Sequence, residues 1–273
     1  MSKAGHDRAE QFRKLHEPGG LLILPNAWDA GSARLFESCG AKATATTSAG
    51  LAWSRGYPDG DVLPPRILAQ AVAEIARVIS TPLTVDIEGG YSSVPEKVGE
   101  AVAAVVDAGA VGINLEDGSG SPDLLCAKIA AAKAAAARAG VDLFVNARTD
   151  VCWRRSLVRP ERATGEAIER ARRYQGAGCD GIFVPGLADR SAIREITAAI
   201  NLPLNVLVLS GLPRVAELRE LGVRRVSSGS ALARAAYAIA KRSATQFVAE
   251  GRYDAMFETT AEYAELNALY SRT

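Results

Sequence analysis

Residues 83–117 of the chain, LTVDIEGGYSSVPEKVGEAVAAVVDAGAVGINLED, contain one complete strand–helix–strand pattern. The apolar run Leu83–Ile87 ends in acidic residues and glycines, and Pro95–Ala108 continues with helical periodicity. Gly109 then precedes a second apolar run, Gly112–Leu115, where a left-handed glycine can end a helix and turn the chain back. The stretch therefore predicts two parallel strands joined by a helix.

The same alternation of short apolar runs and alanine-rich helical segments continues along most of the chain. Eight candidate strands result, at Leu21–Leu24, Ala43–Thr47, Leu83–Ile87, Gly112–Leu115, Leu143–Ala147, Gly181–Val184, Leu204–Val208 and Arg225–Ser227. The clearest helices are Pro65–Ile79, Pro95–Ala108, Leu124–Ala139, Pro160–Gly176, Asp189–Ala199 and Pro213–Leu221. Eight units favour one (β/α)8 barrel of the α/β class, because a doubly wound sheet usually stops at five or six strands.

The chain is expected to form a single domain, with the barrel at about residues 20–250 and a helical arm at about 231–273. Ala231–Gly251 is too long for one barrel helix, and Tyr253–Leu269 predicts a further amphipathic helix. Such an arm commonly forms an oligomer contact, which predicts a homo-oligomer. The alternative is a helix folded over its own barrel.

Composition narrows the class of protein. With 48% hydrophobic and 23% charged residues, the 273-residue chain can bury a large core, which excludes general disorder. The 32 basic and 31 acidic residues nearly cancel, which disfavours nucleic acid and anionic membranes as partners. The four cysteines form no CxxC pair, and the N-terminus shows no apolar leader or membrane span. We therefore expect a cytoplasmic protein with reduced thiols.

Both histidines, His6 and His16, lie in the first 20 residues, near a short polar helix predicted at Arg8–Glu17. Chemistry in the body of the chain must therefore use carboxylates, Tyr, Lys, Cys or Ser rather than imidazole. This excludes histidine-based triads and histidine-ligated zinc from the main part of the sequence.

Acidic residues gather at the ends of consecutive candidate strands, where a parallel barrel places its functional groups. Alternation along the third strand predicts that Asp86 and Glu88 both point into the barrel. Two unpaired carboxylates would repel each other there, and a divalent cation such as Mg2+ would relieve the repulsion. Glu116 and Asp59 could then contact the cation's water ligands.

Arg148, at the end of the fifth candidate strand, is suited to clamp a substrate carboxylate or phosphonate. The alternative is a structural salt-bridge network between Arg148 and the acids. Two weaker patterns are Ser48–Leu51, whose hydroxyl and amides suit a carboxylate, and Ser227–Ser230 at the usual phosphate position of a barrel. Tight turns and helix capping explain these two patterns equally well.

Taken together, these motifs resemble the isocitrate lyase/phosphoenolpyruvate mutase superfamily from about Pro25 to Gly229. The matching pieces are Leu24–Asp29, Thr47–Leu51, Pro58–Gly60, Asp86–Tyr91, Asn114–Asp117, Asn146–Asp150 and Leu204–Val206. The resemblance implies a Mg2+-dependent barrel enzyme, with Mn2+ as a substitute, that stabilises the enolate of a pyruvate-like oxoacid. It also implies a helix exchanged between subunits, in a homodimer or a homotetramer.

Individual residues match the pattern of this superfamily. Asp86 matches the direct metal ligand, and Asp59, Glu88 and Glu116 match acids that hold metal-bound waters. Ser48, Ala49, Gly50 and Leu51 resemble a substrate-carboxylate turn, here with an inserted alanine. Arg148 and Asn205 match substrate-binding residues. The resemblance thus assigns catalysis to Arg148, Asp59 and Glu116.

The loop after Glu116 departs from the family pattern. Carbon–carbon lyases of the superfamily carry a catalytic cysteine in a Lys-Lys/Arg-Cys-Gly-His sequence, and mutases carry a Lys-Thr-Asn type loop. Residues 118–126 here are GSGSPDLLC, in which Cys126 falls late and favours a packing thiol inside the next helix. Residues 118–122 suit a moving lid or a plain surface loop equally.

Three functions remain open. The first is a lyase or decarboxylase of a substituted malate or oxaloacetate that takes its proton from Tyr57, Tyr91 or water. The second is a phosphonopyruvate-type enzyme in which Arg148 and Arg154 or Arg155 hold the phosphonate. The third is a barrel that binds a metabolite without turnover. Similarity across residues 86–91 favours the phosphoenolpyruvate mutase-like enzyme.

Overall fold

The computed structural model describes residues 3–154 and 156–271. Nine parallel strands form one sheet in the order β1-β9-β8-β7-β6-β5-β4-β3-β2. The strands are β1 (Leu22–Leu24), β2 (Asn26–Ala27), β3 (Thr44–Thr46), β4 (Leu83–Asp86), β5 (Gly112–Glu116), β6 (Phe144–Arg148), β7 (Gly181–Phe183), β8 (Leu204–Leu207) and β9 (Arg225–Ser227). Helices alternate with the strands, which confirms the predicted (β/α)8 barrel.

The helices within the described residues are α1 (Lys3–Lys14), α2 (Ala30–Ser38), α3 (Ser48–Trp53), α4 (Pro65–Val78), α5 (Pro95–Asp107), α6 (Pro122–Arg138), α7 (Ala163–Gly176), α8 (Arg190–Ala199), α9 (Val215–Glu220), α10 (Ala231–Thr245) and α11 (Tyr263–Tyr270). Prolines occupy the first turn of α4, α5 and α6, where the missing N–H is not needed. The sequence analysis did not single out α2 or α3. No helix in the described chain has the length and apolarity that a membrane span requires.

The first predicted strand, Leu21–Leu24, corresponds to β1, and a second short strand that was not predicted, β2, follows directly after Pro25. Strand β1 pairs with β9, whereas β2 pairs with β3. Proline lacks an N–H group and cannot donate to a sheet ladder, so the chain changes partners at this residue. The additional strand gives nine strands in place of eight, and the change of partners joins the last strand of the barrel to the third.

Helix α1 covers the N-terminal end of the barrel. Its Phe12 is fully buried and packs edge-on against Phe144, at the start of β6. A side chain at Gly112 would meet the Phe12 ring at 2.8 Å, so the first residue of β5 must lack one. His16 is also buried, stacked on Phe144 with ring centroids 4.3 Å apart, and thus lies at the opposite end of the barrel from the acidic strand ends.

The C-terminal arm differs from the single long helix predicted at Tyr253–Leu269. A 3-10 turn at Asp254–Met256 and the short helix α11 take its place, with extended backbone at Glu262 between them. Helix α11 returns to α2, where the Tyr270 hydroxyl donates to the Gly31 carbonyl at 3.0 Å. The prediction of one continuous helix was wrong because these contacts with α2 are long-range and leave no periodic pattern.

Candidate active site

The carboxyl ends of β4, β5 and β6 bring three predicted site residues to one end of the barrel. Asp86, Glu116 and Arg148 are the last residues of these strands. Glu116 and Arg148 are direct partners in the β5–β6 register. Strands that end together in a barrel present their final side chains to a common mouth, which is where barrel enzymes place their catalytic groups.

Arg148 is held from two sides by carboxylates. Its Nη1 lies 2.7 Å from Glu116 Oε2, and its Nε lies 2.6 Å from Asp150 Oδ1. The guanidinium carbon also lies 5.7 Å from the centre of the Phe183 ring. Burial lowers the pKa of Arg148, but the charges of Glu116 and Asp150 outweigh burial and raise it above its usual value. The side chain is therefore a fixed, permanently charged hydrogen-bond donor for an anion.

Glu116 is desolvated beside this arginine. Burial raises the pKa of Glu116 to about 8, although the Arg148 charge lowers it and the charges of Asp150 and Asp86 raise it further. Both partners of the ion pair keep only a small exposed fraction, 17% for Arg148 and 15% for Glu116. An additional cation at the mouth of the barrel would favour the ionised carboxylate.

Asp86 is tied to the adjacent strand end by backbone amides. Its own N–H donates to Thr46 Oγ1 at 2.9 Å, and the N–H of Ser48 donates to Asp86 Oδ2 at 3.3 Å. Asp59 approaches from the loop above, where the Ser48 hydroxyl hydrogen-bonds to it. Partial burial raises the pKa of the Asp59 carboxyl, and the nearby Asp86 charge raises it further.

Glu88 lies beyond the end of the strand whose alternation was used to place it. Strand β4 ends at Asp86, and Glu88 adopts a left-handed backbone with φ of 52°. Its carboxylate accepts hydrogen bonds from the backbone N–H groups of Gly60, at 2.8 Å, and Asp61. Burial, together with the charges of Asp86 and Asp59, raises the pKa of Glu88 to about 7, although the Asp61 amide lowers it. Strand alternation therefore does not extend to Glu88, although its carboxylate still borders the acid cluster.

The donor set suits a hard divalent cation that keeps several waters. Within the described residues, no three His, Cys, Asp or Glu side chains are close enough to bind one ion together. Mg2+ needs only one or two direct carboxylates, and the neighbouring acids can bind its waters. Asp86 raises the pKa values of Asp59, Glu88 and Glu116, so the cluster carries a repulsion that a cation would relieve.

The predicted carboxylate-binding turn Ser48–Leu51 is the first turn of helix α3. Ser48 faces Asp86 and Asp59, whereas Ala49, Gly50 and Leu51 are buried. A side chain on Gly50 would meet Trp28 Cβ at 2.9 Å, so this glycine serves close packing. The structure thus brings Ser48 to the site and buries the next three residues. Their role toward substrate stays a prediction.

Asn205 and the serines at the end of β9 form hydrogen bonds within the barrel. Asn205 is fully buried on β8, and its Oδ1 accepts from Ser227 Oγ at 3.2 Å. Ser228 Oγ accepts from the Asn26 N–H at 2.9 Å, and the Gly229 N–H donates to Asn26 Oδ1 at 2.9 Å. Ser228 and Gly229 therefore join the ends of the first and last strands. Asn205 as a substrate contact stays a prediction.

The other candidate side chains of the sequence analysis have the following contacts. Cys126 is inside α6, as expected, with its thiol 3.7 Å from the Arg173 carbonyl, and burial raises its pKa. Tyr57 packs partly buried against the core, and the Tyr91 hydroxyl hydrogen-bonds Glu88. Arg154 is bound to Asp150 Oδ2 at 2.9 Å. Arg155 lies outside the described residues.

Three further residues support the site and had no role in the sequence analysis. Asp150 and Asp117 have fully buried side chains, and the Asp150 N–H donates to Asp117 Oδ1 at 3.0 Å. Asp117 is in turn bound by Arg170 and Tyr174. Lys128 reaches from α6 to the Gly89 carbonyl at 2.6 Å. Asp117 and Asp150 were visible as acidic strand ends, but nothing distinguishes Lys128 in an alanine-rich helix.

Comparison with known proteins agrees with this architecture. An uncharacterised protein of Mycobacterium tuberculosis is 39% identical, over 94% of this chain and 95% of its own. An oxaloacetate decarboxylase of Paraburkholderia xenovorans is 30% identical, over 81% of this chain and 75% of its own. A crystal structure from Burkholderia cenocepacia, named as a candidate phosphonomutase, is 42% identical with a TM-score of 0.83, over 88% of this chain and 99% of that one.

The family model described as phosphoenolpyruvate phosphomutase matches residues 12–248, which include every strand and all the acids described above. A 2-methylisocitrate lyase of Bacillus subtilis is 29% identical over 72% of this chain. Solved structures of a phosphoenolpyruvate phosphomutase and of a 2,3-dimethylmalate lyase share the fold. The resemblance drawn from the sequence is thereby confirmed. The chain belongs to the phosphoenolpyruvate mutase/isocitrate lyase superfamily of enzymes.

Proposed function

We propose that the protein is an enzyme that acts on the bond between C3 of a pyruvate-type oxoacid and its substituent. A four-carbon 2-oxoacid of the oxaloacetate class is the favoured substrate, and a carbon–carbon bond is the one broken. The observation that supports this most directly is Arg148, fixed by Glu116 and Asp150 at the mouth that also holds Asp86.

In a decarboxylation of this kind, the bond from C3 to the departing carboxylate breaks and CO2 leaves. The bonding electron pair stays on the three-carbon fragment as the enolate of pyruvate, and a proton delivered to C3 completes the product. The fixed guanidinium of Arg148 donates hydrogen bonds to the substrate carboxylate and stabilises the negative charge as it moves. The Tyr91 hydroxyl and water are the candidate proton donors.

Asp86 would hold Mg2+ directly, and Asp59, Glu88 and Glu116 would bind its waters. When bound, Mg2+ supplies positive charge that polarises the oxoacid carbonyl and favours enolate formation. Mn2+ has similar ligand preferences and would substitute. The chain's own residues perform the remaining tasks, since the Ser48 N–H and hydroxyl orient the carboxylates of Asp86 and Asp59.

The charges around the mouth favour carbon–carbon over carbon–phosphorus chemistry. Phosphoryl transfer needs cations that clamp the moving group. Among the described residues, the nearby cations Arg154 and Lys128 are already bound to Asp150 and to the Gly89 carbonyl, so Arg148 would hold a substrate anion without their help. The loop at residues 118–122 adds no basic side chain. Departing CO2 needs no such clamp. The relative from Paraburkholderia xenovorans is named oxaloacetate decarboxylase, and decarboxylation breaks a carbon–carbon bond.

A phosphonomutase-like reaction is the second candidate. The name of the 42% identical structure from Burkholderia cenocepacia and the family model both support it. In this reaction Arg148, with Arg154 released from Asp150, would hold the phosphonate. The two candidates share the enolate and differ only in the substituent at C3.

Thermal unfolding with oxalate tests the shared step, because oxalate is a planar mimic of the pyruvate enolate. A stabilisation that requires both Mg2+ and oxalate supports the site, and about 2.7 kcal/mol is expected at a hundred times the dissociation constant. Pyruvate release from oxaloacetate and phosphorus NMR of phosphonopyruvate then separate the two reactions. Binding without turnover of either substrate would favour the non-catalytic barrel, and no shift at all would reject the site.

We also propose that the protein acts in the cytoplasm as a homodimer or homotetramer, with α10 of one copy covering the barrel wall of another. Ile23, on the outer side of β1, is 53% exposed and lines an apolar groove of about 640 Å3 with Val208 and Leu232. Helix α10 buries only Ala233 within its own chain, so most of its surface is free to contact another protein. A second copy of the chain would cover both this helix and the apolar groove beside Ile23. Light scattering tests the assembly, and Ile23→Glu should yield monomers.

A further inference from the structure

Two loops at the mouth of the barrel hold each other through paired carboxylates. The Glu88 carboxylate accepts from the N–H groups of Gly60 and Asp61, which fixes the loop that carries Asp59. In return, Asp61 Oδ1 accepts from the N–H groups of Gly89, at 3.1 Å, and Tyr91, at 3.0 Å. We call residues 57–61 and 88–91, joined by these four hydrogen bonds, the clasp.

The backbone of the clasp is strained. Across the described residues, three non-glycine residues have a positive φ, namely Asp61 at 58°, Glu88 at 52° and Tyr91 at 60°. All three belong to the clasp. A left-handed backbone is costly for residues with a side chain and persists only where surrounding contacts enforce it. Strain of this kind concentrates at functional sites, and here it adjoins the acid cluster.

A buried lysine supports the clasp from the outer helix layer. Lys128 is 8% exposed, and its Nζ donates to the Gly89 carbonyl at 2.6 Å. The Gly89 peptide is thus bound on both sides, since its N–H donates to Asp61. Asp61 itself contacts backbone groups of the clasp and is two residues from Asp59, which faces Asp86.

We infer that Asp61 is a positioning residue, which locks the 57–61 loop onto the 88–91 turn and thereby sets Asp59 and Glu88 around the cation site. This inference rests on the proposed function for its catalytic consequence. Without the Asp61 carboxylate, two backbone amides of the 88–91 turn lose their acceptor, and the left-handed residues lose the contact that enforces them. Asp59 and Glu88 would then move away from the positions that bind waters of the cation.

Gly89 offers a second, independent way to open the clasp. Its φ lies outside the left-handed region, so alanine is tolerated by the backbone at this position. A Cβ at Gly89 would lie 2.6 Å from Asp61 Oδ2. This close approach would push the Asp61 carboxylate away from the two amide N–H groups whose hydrogen bonds it accepts. Gly89→Ala therefore attacks the same contact as Asp61→Ala while leaving every charged group present.

The experiment compares the wild type with D61A, G89A and the D61A/G89A double variant. Asp107→Ala and Gly165→Ala serve as matched controls, because Asp107 is exposed on α5 and nothing lies within 4 Å of a Cβ at Gly165. Hydrogen exchange of peptides that cover 57–61 and 88–91, measured in metal-free protein, reports the clasp itself. Calorimetric titration of oxalate in the presence of Mg2+ reports the site, and thermal unfolding confirms that each variant folds.

D61A and G89A should each speed exchange in the clasp about tenfold and weaken Mg2+–oxalate binding about tenfold, with both controls unchanged. The double variant should be no worse than D61A alone, because the collision at Gly89 disappears once the carboxylate is absent. D61N, which keeps one acceptor oxygen, should recover part of the affinity.

Two results would overturn the assignment of Asp61. One is oxalate affinity in D61A equal to that of the wild type, and the other is losses in D61A and G89A that multiply in the double variant. Exchange data separate this failure from failure of the proposed function. If the wild type binds no oxalate with Mg2+ while D61A still accelerates exchange, the proposed function is rejected and the clasp stands as a structural device.

Discussion

Arg148 Nη1 lies 2.7 Å from Glu116 Oε2, and the two residues are direct partners on the neighbouring strands β6 and β5. A second carboxylate, Asp150, holds the other edge of the same guanidinium. The arginine is thereby oriented before any substrate arrives, which reduces the ordering that binding would otherwise require.

Replacement of Arg148 by lysine should lower kcat/KM for the oxoacid substrate by about 100-fold. Lysine keeps the charge but cannot contact Glu116, Asp150 and a substrate anion in one plane, and loss of about 3 kcal/mol of charge-assisted hydrogen bonding corresponds to that factor. Steady-state kinetics of pyruvate release measure the effect. Arg219→Lys, on the exposed surface of α9, is the control, and equal kinetics for both variants would contradict a substrate role for Arg148.

Asp86→Ala should abolish Mg2+-dependent activity while leaving the fold intact. The Asp86 charge raises the pKa values of Asp59, Glu88 and Glu116 but also favours the charged forms of the buried Arg225 and Arg148, so its removal relieves one repulsion and costs two attractions, and the metal-free variant should still fold. Activity assays with and without chelator, alongside thermal unfolding, measure both effects. Full activity in the variant, without a metal requirement, would reject the enolate mechanism.

His16 should make the protein sensitive to acid. Burial, with a smaller effect of the Arg225 charge, lowers the pKa of His16 to about 3 in the folded state, below its usual 6.5. The unfolded chain therefore binds the proton more readily, and stability present above pH 6.5 is lost as the pH falls from 6.5 toward 3. The loss from this group at pH 5 should be about 2 kcal/mol.

Chemical denaturation of wild type and His16→Phe at pH 7.5 and pH 5.0 measures this contribution. The phenylalanine variant retains an aromatic ring against Phe144 but cannot titrate. Its free energy of unfolding should fall less than that of the wild type between the two pH values. Parallel pH dependence in the two proteins would show that His16 does not stay neutral in the folded state.

Asp117→Asn should destabilise the fold by about 3 kcal/mol, since it removes the charge from a fully buried carboxylate that binds Arg170 at 2.8 Å. The Tyr174 hydroxyl, 2.6 Å from the same oxygen, loses its charged acceptor as well. Asp123→Asn is the matched control, because its ion pair with Arg173 is largely exposed and should contribute less than about 1 kcal/mol. Equal free energies of unfolding for the two variants would contradict this role for Asp117.

Local periodicity was sufficient to predict the barrel and much of its mouth. Most strands of the barrel are short buried runs, the helices α4 and α5 bury apolar residues at helical spacing, and both patterns arise from neighbours close in sequence. In a parallel barrel all strands end on one side, so the acids that follow the strands had to meet. Asp86, Glu116 and Arg148 were therefore predictable as neighbours without knowledge of any contact.

Contacts between distant segments were decided only by the tertiary structure. The chain on the two sides of Pro25 forms separate strands, because closure of the barrel pairs β1 with β9 and β2 with β3. Glu88 leaves the strand alternation because hydrogen bonds with Asp61, 27 residues earlier, enforce a left-handed backbone. Lys128 reaches the Gly89 carbonyl from a separate helix. Sequence patterns record which side of an element is buried, whereas pairing between loops depends on where the folded chain brings their ends together.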